Sequence, residues 1–212
     1  MLRIITFTIV LAVTTILVGC SEYFLKPYGQ VASDAKGVSV GIVILPDGAP
    51  TIALGFNPNP SGNGGSPSVD GHEGIDIYAP TGTPVLAPAS GVVLDSSYGP
   101  FYGNKVSIEH TMDEDGESIK SRLLHLDTRL VKMGDMVIRG QQVGTLGSSG
   151  FNASYPHLHF EIRVKDDSGR RITTPMNPHK YWFGGVAKVT CFDREKVYPE
   201  MPFRITYPVP CK

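Results

Sequence analysis

The sequence carries little charge and almost no excess of one sign. Of its 212 residues 18% are charged, and 19 basic against 20 acidic side chains leave a formal net charge of −1. A chain without a basic excess lacks the electrostatic footprint of a nucleic-acid-binding protein, so we expect no nucleic-acid partner. The low charge also argues against a coiled coil, which is rich in Glu and Lys. A hydrophobic fraction of 41% argues against intrinsic disorder.

Long helical periods are missing as well. The chain instead holds 24 glycines and 17 prolines, which provide frequent turns. From Gly71 onward, short apolar runs alternate with turns and predict strands at 85–87, 91–94, 105–110, 119–126, 136–143 and 157–164. A β-branched run at 38–45 predicts an earlier strand. We therefore expect an all-β, antiparallel domain.

Two segments, 82–93 and 131–144, resemble the two arms of a duplicated hybrid-motif β-sandwich. The same phrases occur in lipoyl and biotinyl carrier domains, so they indicate a fold and not a function. The expected organisation is an antiparallel β-sandwich domain at 49–185. A tether at 20–48, which includes the early strand, precedes it, and an extended tail at 186–212 follows it.

The N-terminus has an apolar run that is too short to span a membrane. Residues 4–18 are mostly apolar and follow Arg3, which fits a signal peptide at 1–19. The run ends in Leu-Val-Gly-Cys, which resembles a bacterial lipobox and implies cleavage before Cys20 and lipidation of its sulfur. The acyl chains would hold the protein at a membrane. Ser21, in the next position, favours the periplasmic face of the outer membrane.

Cysteine is scarce, and the three cysteines show no CxxC pairing that would predict a structural zinc site. Apart from Cys20, the chain has Cys191 and Cys211, twenty positions apart. In an exported protein, such a pair predicts a disulfide, which would close the proline-rich tail. Two independent free thiols are the alternative.

The six histidines carry the most specific pattern. In a strand, residues two apart share a face, so Leu158, Phe160, Ile162 and Val164 form an apolar face of the 157–164 run. The opposite face carries His157, His159, Glu161 and Arg163. This polar face is either solvated or one wall of a metal site.

A second cluster lies at Gly71–Asp76. From a bend, His72 and Asp76 could both reach one cation, and imidazole nitrogen with carboxylate oxygen suits zinc. A catalytic zinc site takes three protein ligands and one open position, a count that one histidine of the HxH pair would complete. A polar turn is the alternative for these two residues. The sequence has no His-Glu-x-x-His, which excludes helix-borne zincin chemistry.

Together the motifs resemble those of the lysostaphin-like (LytM-type) peptidoglycan metalloendopeptidases over about residues 52–183. The matching phrases are His72-x-x-x-Asp76, Ala79-Pro80-x-Gly82-Thr83-Pro84-Val85, Leu124-His125-Leu126 and His157-x-His159-Phe160-Glu161. The resemblance implies that His72, Asp76 and His159 bind one Zn²⁺ ion. It implies that His125 and His157 lie near the attacking water and are required for catalysis. Tyr155 stands where the family usually has glycine.

The remaining candidates have simpler interpretations. We expect His110 to be structural, His179 to lie at the surface and Trp182 to cover the core. The side chain of Glu73 should point away from the metal ligands.

These features predict a lipid-anchored, zinc-dependent endopeptidase of the cell envelope that hydrolyses peptide bonds in peptidoglycan stem peptides or cross-links. The alternative is a non-catalytic LytM-like regulator that binds and activates a wall hydrolase, which would make a protein its partner. A carrier protein lacks support, because the sequence around Lys132 and Met133 lacks the methionine that would precede the lysine of a modification turn.

Overall fold

The structure is a computed structural model that describes residues 31–33, 39–57, 71–110, 118–165 and 173–212. The predicted signal peptide at 1–19 and Cys20 lie outside the described residues. Within the described ranges there is no α-helix, and no helix long and apolar enough to cross a membrane. One short 3-10 helix covers Pro178–Lys180. The expected all-β fold is confirmed.

Twelve strands are present in the described residues. They are β1 (Val31–Ser33), β2 (Ser39–Ile42), β3 (Ile52–Leu54), β4 (Ile75–Ile77), β5 (Pro84–Leu86), β6 (Gly91–Gly99), β7 (Gly103–Glu109), β8 (Ile119–Arg129), β9 (Met136–Val137), β10 (Gln142–Leu146), β11 (Leu158–Lys165) and β12 (Thr173–Met176). β1 and β2 form a separate antiparallel pair, so part of the expected tether is a strand.

The other ten strands form one antiparallel sheet with the order β3-β4-β11-β8-β7-β6-β9. β12 extends it beside β11, and β10 pairs with both β5 and β8. The two segments that resemble hybrid-motif arms pair with each other, since β5 pairs with β10 and β6 with β9. The expected antiparallel architecture therefore includes direct pairing between the two arms.

One predicted strand is wrong in its extent. The run at 136–143 is divided into β9 and β10 by a turn in which the Gln141 amide donates to the Ile138 carbonyl. Gly140 adopts a φ of 78° in this turn, a left-handed conformation that suits glycine. The apolar alternation of the run does not reveal this interruption.

The core is contributed by most strands and by the C-terminal segment. β11 buries Leu158, Phe160 and Ile162, as its alternation predicts. Residues 186–212 contain no strand, but they add Val189, Phe203, Ile205, Tyr207 and Val209 to the same core. The tail is therefore part of the globule and not an appendage to a domain that ends at 185.

Several hydrogen bonds hold the tail in place. The Leu86 amide donates to the Pro208 carbonyl, and the Tyr207 hydroxyl donates to the Pro50 carbonyl. A disulfide joins Cys191 to Cys211, whose Cα atoms lie 6.0 Å apart. Trp182 is fully buried against Phe160 and Tyr207, in agreement with its expected place over the core.

The prediction that His179 lies at the surface is wrong. His179 is fully buried, and its Nδ1 accepts a hydrogen bond from Trp182 Nε1–H at 2.9 Å. The cause is the 3-10 turn, which Asn177 caps by accepting from the His179 amide and which directs the ring inward. Burial lowers the pKa of His179 to about 4.

Candidate metal and catalytic site

The site lies where three strands of the sheet meet. The central strand β8 pairs with β11 as far as Leu124, which faces His159. From Leu126 onward β8 pairs instead with β10. β11 also pairs with β4, and this pairing places His159 opposite Asp76. The fork between β10 and β11 therefore opens beside the polar face of β11, the face predicted to be solvated or metal-binding.

Three side chains converge at this fork. His72 Nε2 lies 3.0 Å from Asp76 Oδ1 and 3.0 Å from His159 Nδ1, and the last two atoms are 2.8 Å apart. His72 is carried by a short bridge with Asn57, Asp76 by β4 and His159 by β11. The structure thus brings together the three residues that sequence analysis named as metal ligands.

This donor set fits zinc. Atoms bonded tetrahedrally to one zinc ion at ~2.0–2.1 Å are about 3.3 Å apart, close to the separations of the three donor atoms here. Two imidazole nitrogens and one carboxylate oxygen are ligands that zinc prefers. Gly74 keeps the bend compact, because a Cβ there would lie 2.4 Å from the Phe160 carbonyl oxygen and 2.9 Å from His159 Nε2.

The outer nitrogens of His72 and His159 each face an acceptor. His72 Nδ1–H donates to the Gly55 carbonyl at 2.7 Å, which leaves the Nε2 lone pair directed at the cluster. His159 Nε2 lies 3.3 Å from Glu161 Oε1, on the side of the ring away from Asp76. The alternation of β11 predicts Glu161 on this face, but it does not predict a role for it. Its partners come from β8 as well as β11, which the local pattern does not show.

Glu161 is itself embedded in an ion network. Arg122 and Arg163 each donate to its carboxylate, at 2.9 and 2.8 Å for the shortest contacts. Burial favours its neutral form, but the hydrogen bond with His159 and the two guanidinium charges lower the pKa of Glu161 to about 2. Arg163 also pairs with Glu73, whose half-exposed carboxylate is thus directed away from the metal ligands, as expected.

Electrostatically, the cluster favours a positive charge between its donors. Burial opposes ionisation of Asp76, but hydrogen bonds and charge interactions with His159 and His72 hold its pKa well below the usual range. Burial also opposes protonation of His159, yet its bonds to Asp76 and Glu161 raise its pKa to about 9. The carboxylate charges of Asp76 and Glu161 therefore favour a positive charge on His159.

Two further histidines face the same cluster. The ring centroids of His125 and His157 are 4.9 Å apart, and His157 Nε2 lies 3.7 Å from Asp76 Oδ1. His157 Nδ1–H donates to the Tyr155 carbonyl, and His125 Nδ1–H donates to the Ser149 carbonyl. In its neutral form, each ring with this hydrogen bond has its lone pair on Nε2. Burial lowers the pKa of His125 to about 4, so it is a neutral proton acceptor at pH 7.

A bulge in β8 places His125 on the site face. Along β8, the inward-facing residues are Ile119, Ser121 and Leu123. Strict alternation would make His125 the next one, but Leu126 takes that place in the core. In the pairing with β7, Asn104 faces Leu126 while Val106 faces Leu123, so Leu124 and His125 of β8 together oppose the single residue Lys105 of β7. His125 adopts a φ of 63°, which is uncommon outside glycine and turns its side chain out of the alternation.

Neighbouring loops satisfy the backbone of the bulge. The His125 amide donates to the Tyr102 carbonyl at 3.0 Å. Asn104 Nδ2 and Ser149 Oγ both donate to the Leu126 carbonyl. These three contacts compensate for the distorted conformation of His125, and none of them could be predicted from the local sequence around it.

His110 lies away from the cluster and has a structural role, as expected. Its Nδ1–H donates to the Ser90 carbonyl, and its Nε2 lies 2.9 Å from the Ser121 hydroxyl. The ring is buried and packs against Phe203 of the tail.

Comparison with known proteins agrees with this site. The sequence profile of peptidase family M23 matches residues 70–173, which include all five residues of the site. The chain is 45% identical over 96 residues to the peptidoglycan DD-endopeptidase ShyC of Vibrio cholerae, covering 45% of this chain and 21% of that protein. It is 37% identical over 112 residues to the lipoprotein YgeR of Escherichia coli, covering 52% and 39%. The chain therefore spans well under half the length of these relatives.

Among solved structures, the chain is similar to the catalytic domain of the antimicrobial peptidase lysostaphin from Staphylococcus simulans. The identity is 32%, the match covers 61% of this chain and 89% of that domain, and the TM-score is 0.48.

Proposed function

Residues 70–173 of this chain match peptidase family M23, and we propose that the chain is a zinc-dependent endopeptidase that hydrolyses peptide bonds in peptidoglycan. The observation that carries the proposal is the grouping of His72, Asp76 and His159 with two further histidines on one face of the sheet. A site that only bound a metal would need the three ligands, whereas two additional imidazoles with available lone pairs provide groups for proton transfer.

In this proposal the three donors hold the zinc ion, and Glu161 and the Gly55 carbonyl orient the two imidazole ligands. Zinc, when bound, supplies Lewis acidity that makes water a nucleophile near neutral pH and polarises a carbonyl group. The remaining chemistry belongs to the residues of the chain itself.

His125 and His157 would carry out proton transfer and stabilise the oxyanion. At Nε2, a neutral imidazole can accept a proton from the attacking water and later return it to the leaving amine. An imidazole that carries a proton can donate a hydrogen bond to the oxyanion that develops on the scissile carbonyl. The His125 and His157 rings lie next to each other, and His125 also lies next to His159. This arrangement suits proton transfer by one ring and stabilisation of the oxyanion by the other.

We propose peptide cross-links as the substrate. ShyC, whose name gives its activity as a DD-endopeptidase on peptidoglycan, shares 45% identity over its match to this chain. The bond between two D-configured centres in a direct cross-link is therefore the first substrate to test, followed by the stem peptide and by glycine bridges.

Digestion of purified sacculi tests this function. The mature, detergent-solubilised protein loaded with zinc should release un-cross-linked muropeptides, which mass spectrometry identifies. A zinc chelator should abolish the release, and His125→Ala should reduce it by ~10²–10⁴-fold. If zinc-loaded protein releases no product from sacculi or from isolated cross-linked muropeptides, the enzyme proposal is wrong and the regulator hypothesis replaces it.

We further propose that the protein is anchored in the cell envelope through lipid on Cys20, at the periplasmic face of the outer membrane. The lipobox-like Leu17–Cys20 segment and the similarity to the lipoprotein YgeR support this proposal. An anchor would raise the effective concentration of the site beside the wall. Cys20→Ser should accumulate as an unprocessed precursor that fatty-acid label does not enter, and normal processing of this variant would overturn the proposal.

A further inference from the structure

Two tyrosines stand beside the proposed catalytic centre, outside its metal and proton-transfer machinery. Tyr78 follows β4 directly and is 45% exposed, and Tyr155 precedes β11 and is partly buried. Their ring centroids are 6.4 Å apart.

The strand register explains why the two rings meet. β4 and β11 are antiparallel, with Asp76 opposite His159 and Ile77 opposite Leu158. One step further, Tyr78 comes level with His157. Alternation along β4 puts Tyr78 on the same side as Asp76, because the intervening Ile77 faces the core. Tyr78 therefore emerges on the site face of the sheet and not on its apolar face.

Tyr155 is fixed against a proposed proton-transfer residue. Its ring centroid lies 4.6 Å from that of His157, at an interplanar angle of 36°. Its carbonyl accepts the hydrogen bond from His157 Nδ1–H at 2.8 Å. The main chain of Tyr155 thus orients His157, while its ring extends the wall of the site beyond that histidine toward Tyr78.

The wall formed by the two rings has a definite chemistry. Aromatic faces pack against aliphatic groups and peptide planes, and a phenol adds one hydrogen-bonding tip. Burial and the Asp76 charge raise the pKa of Tyr155 to about 12, so its hydroxyl group stays protonated and uncharged. Such a surface favours an uncharged peptide segment with small apolar side chains over a charged or bulky polar one.

We propose that Tyr78 and Tyr155 form a substrate-binding wall that receives the peptide on the His157 side of the scissile bond, packing against small apolar side chains such as alanine methyl groups. This inference rests on the proposed peptidase function. It makes the two tyrosines specificity determinants, with Tyr155 contacting both substrate and His157.

A purely positioning role for Tyr155 makes a different prediction. If the Tyr155 ring only held the His157 ring in position, replacing Tyr155 would lower kcat and leave KM unchanged. Tyr78 separates the two roles, because its replacement removes part of the wall and retains the ring that packs on His157. A substrate-binding wall requires that both tyrosines affect KM.

The experiment compares Tyr155→Phe, Tyr155→Ala and Tyr78→Ala in the zinc-loaded, mature protein, with a purified cross-linked tetrapeptide muropeptide dimer as the probe. Tyr198→Ala is the matched control, since Tyr198 is a partly buried tyrosine that stacks on Phe192 in the tail. We expect KM to rise about tenfold in both site alanine variants, the scale at which an aromatic binding residue contributes. Tyr198→Ala should keep the wild-type KM. Tyr155→Phe retains the aromatic ring and should raise KM less than Tyr155→Ala, and all variants should retain zinc.

Unchanged KM in Tyr78→Ala overturns the proposal, as does a loss confined to kcat in Tyr155→Ala. If the wild-type protein binds the dimer without hydrolysing it, the proposed peptidase function is wrong. The wall is then tested by the affinity for the dimer, measured by calorimetry, in place of KM. The wall then predicts about tenfold weaker binding by Tyr78→Ala, the variant that keeps the ring on His157. Equal binding by that variant, or no binding by the wild type, contradicts the wall itself.

Discussion

The carboxylate of Glu161 lies 3.3 Å from His159 Nε2, across the ring from the nitrogen that faces His72 and Asp76. If His159 binds zinc as proposed, Glu161 orients its imidazole and raises its basicity. Glu161 comes two residues after His159 on the same strand, so one strand supplies both the ligand and its support.

We expect Glu161→Gln to lower zinc affinity about tenfold and Glu161→Ala by up to about 100-fold, measured by competition with a chelator. The amide retains shape and can still accept from Nε2–H, but it removes the charge that strengthens the bond. Glu73→Gln is the matched control, because Glu73 also pairs with Arg163 but lies half exposed and away from His159. Equal zinc affinity in the Glu161→Gln and Glu73→Gln variants would contradict the assigned role.

The second prediction separates metal binding from proton transfer. His159→Ala, His72→Ala or Asp76→Ala removes a donor atom and leaves two, so the purified protein should lose its zinc. His125→Ala and His157→Ala leave the three donors intact, so about one zinc ion per chain should remain while turnover falls ~10²–10⁴-fold. Elemental analysis and hydrolysis assays of the same preparations provide both readouts.

His157 and His159 lie on the same face of the sheet, so the metal-binding role and the proton-transfer role are easily assigned to the wrong one of the two. Loss of zinc from His157→Ala together with its retention by His159→Ala would reverse the two roles.

The third prediction concerns stability at acid pH. Burial, together with the charge of Arg139, lowers the pKa of His110 to about 4, against an ordinary value of 6.5, despite the hydrogen bond to Ser90. Above pH 6.5, His110 is neutral in both the folded and the unfolded state and does not lower the free energy of unfolding. Between pH 6.5 and 4 the unfolded chain binds a proton that the folded chain excludes, so stability declines by about 3 kcal/mol.

Urea denaturation of the wild type and His110→Gln across pH 4–7.5 checks this third prediction. The variant should show a smaller decline in the free energy of unfolding over that range, with a residual slope from the similarly shifted His125 and His179. Parallel curves for the two proteins would show that His110 does not contribute.

The fourth prediction concerns the tail. Replacing both Cys191 and Cys211 by serine removes a cross-link over a sequence separation of 20 residues, which contributes ~3 kcal/mol in the chain-entropy model. We expect the free energy of unfolding to fall by about that amount while zinc content is unchanged, because the tail packs on the core and not on the metal ligands. Peptide mapping without reductant should recover the two cysteine peptides joined, and two alkylatable thiols in the native protein would contradict the bond.

Part of the candidate site follows from local sequence. The strict alternation of β11 is enough to put His157, His159 and Glu161 on one face, since the apolar residues between them must face the core. The spacing of His72 and Asp76 and the chemistry of their side chains are likewise local properties. Both patterns depend on neighbours within a few positions, which is the range over which a strand or a bend imposes its geometry.

Other features depend on contacts between distant segments, and only the tertiary structure decides them. Strict alternation would turn His125 toward the core, but a bulge stabilised by Asn104 and Ser149 turns it to the site. The 3-10 turn buries His179 against Trp182, although its polar sequence neighbours suggested the surface.

By itself, then, the sequence determines which residue types are present and which face of a strand carries them. The tertiary structure decides the point at which β8 stops pairing with β11 and begins to pair with β10. It also decides the placement of Tyr78 beside Tyr155 and the inclusion of the tail in the core. The physical reason is that strand pairing and core packing join residues far apart in the chain, and their energies depend on the complete set of partners.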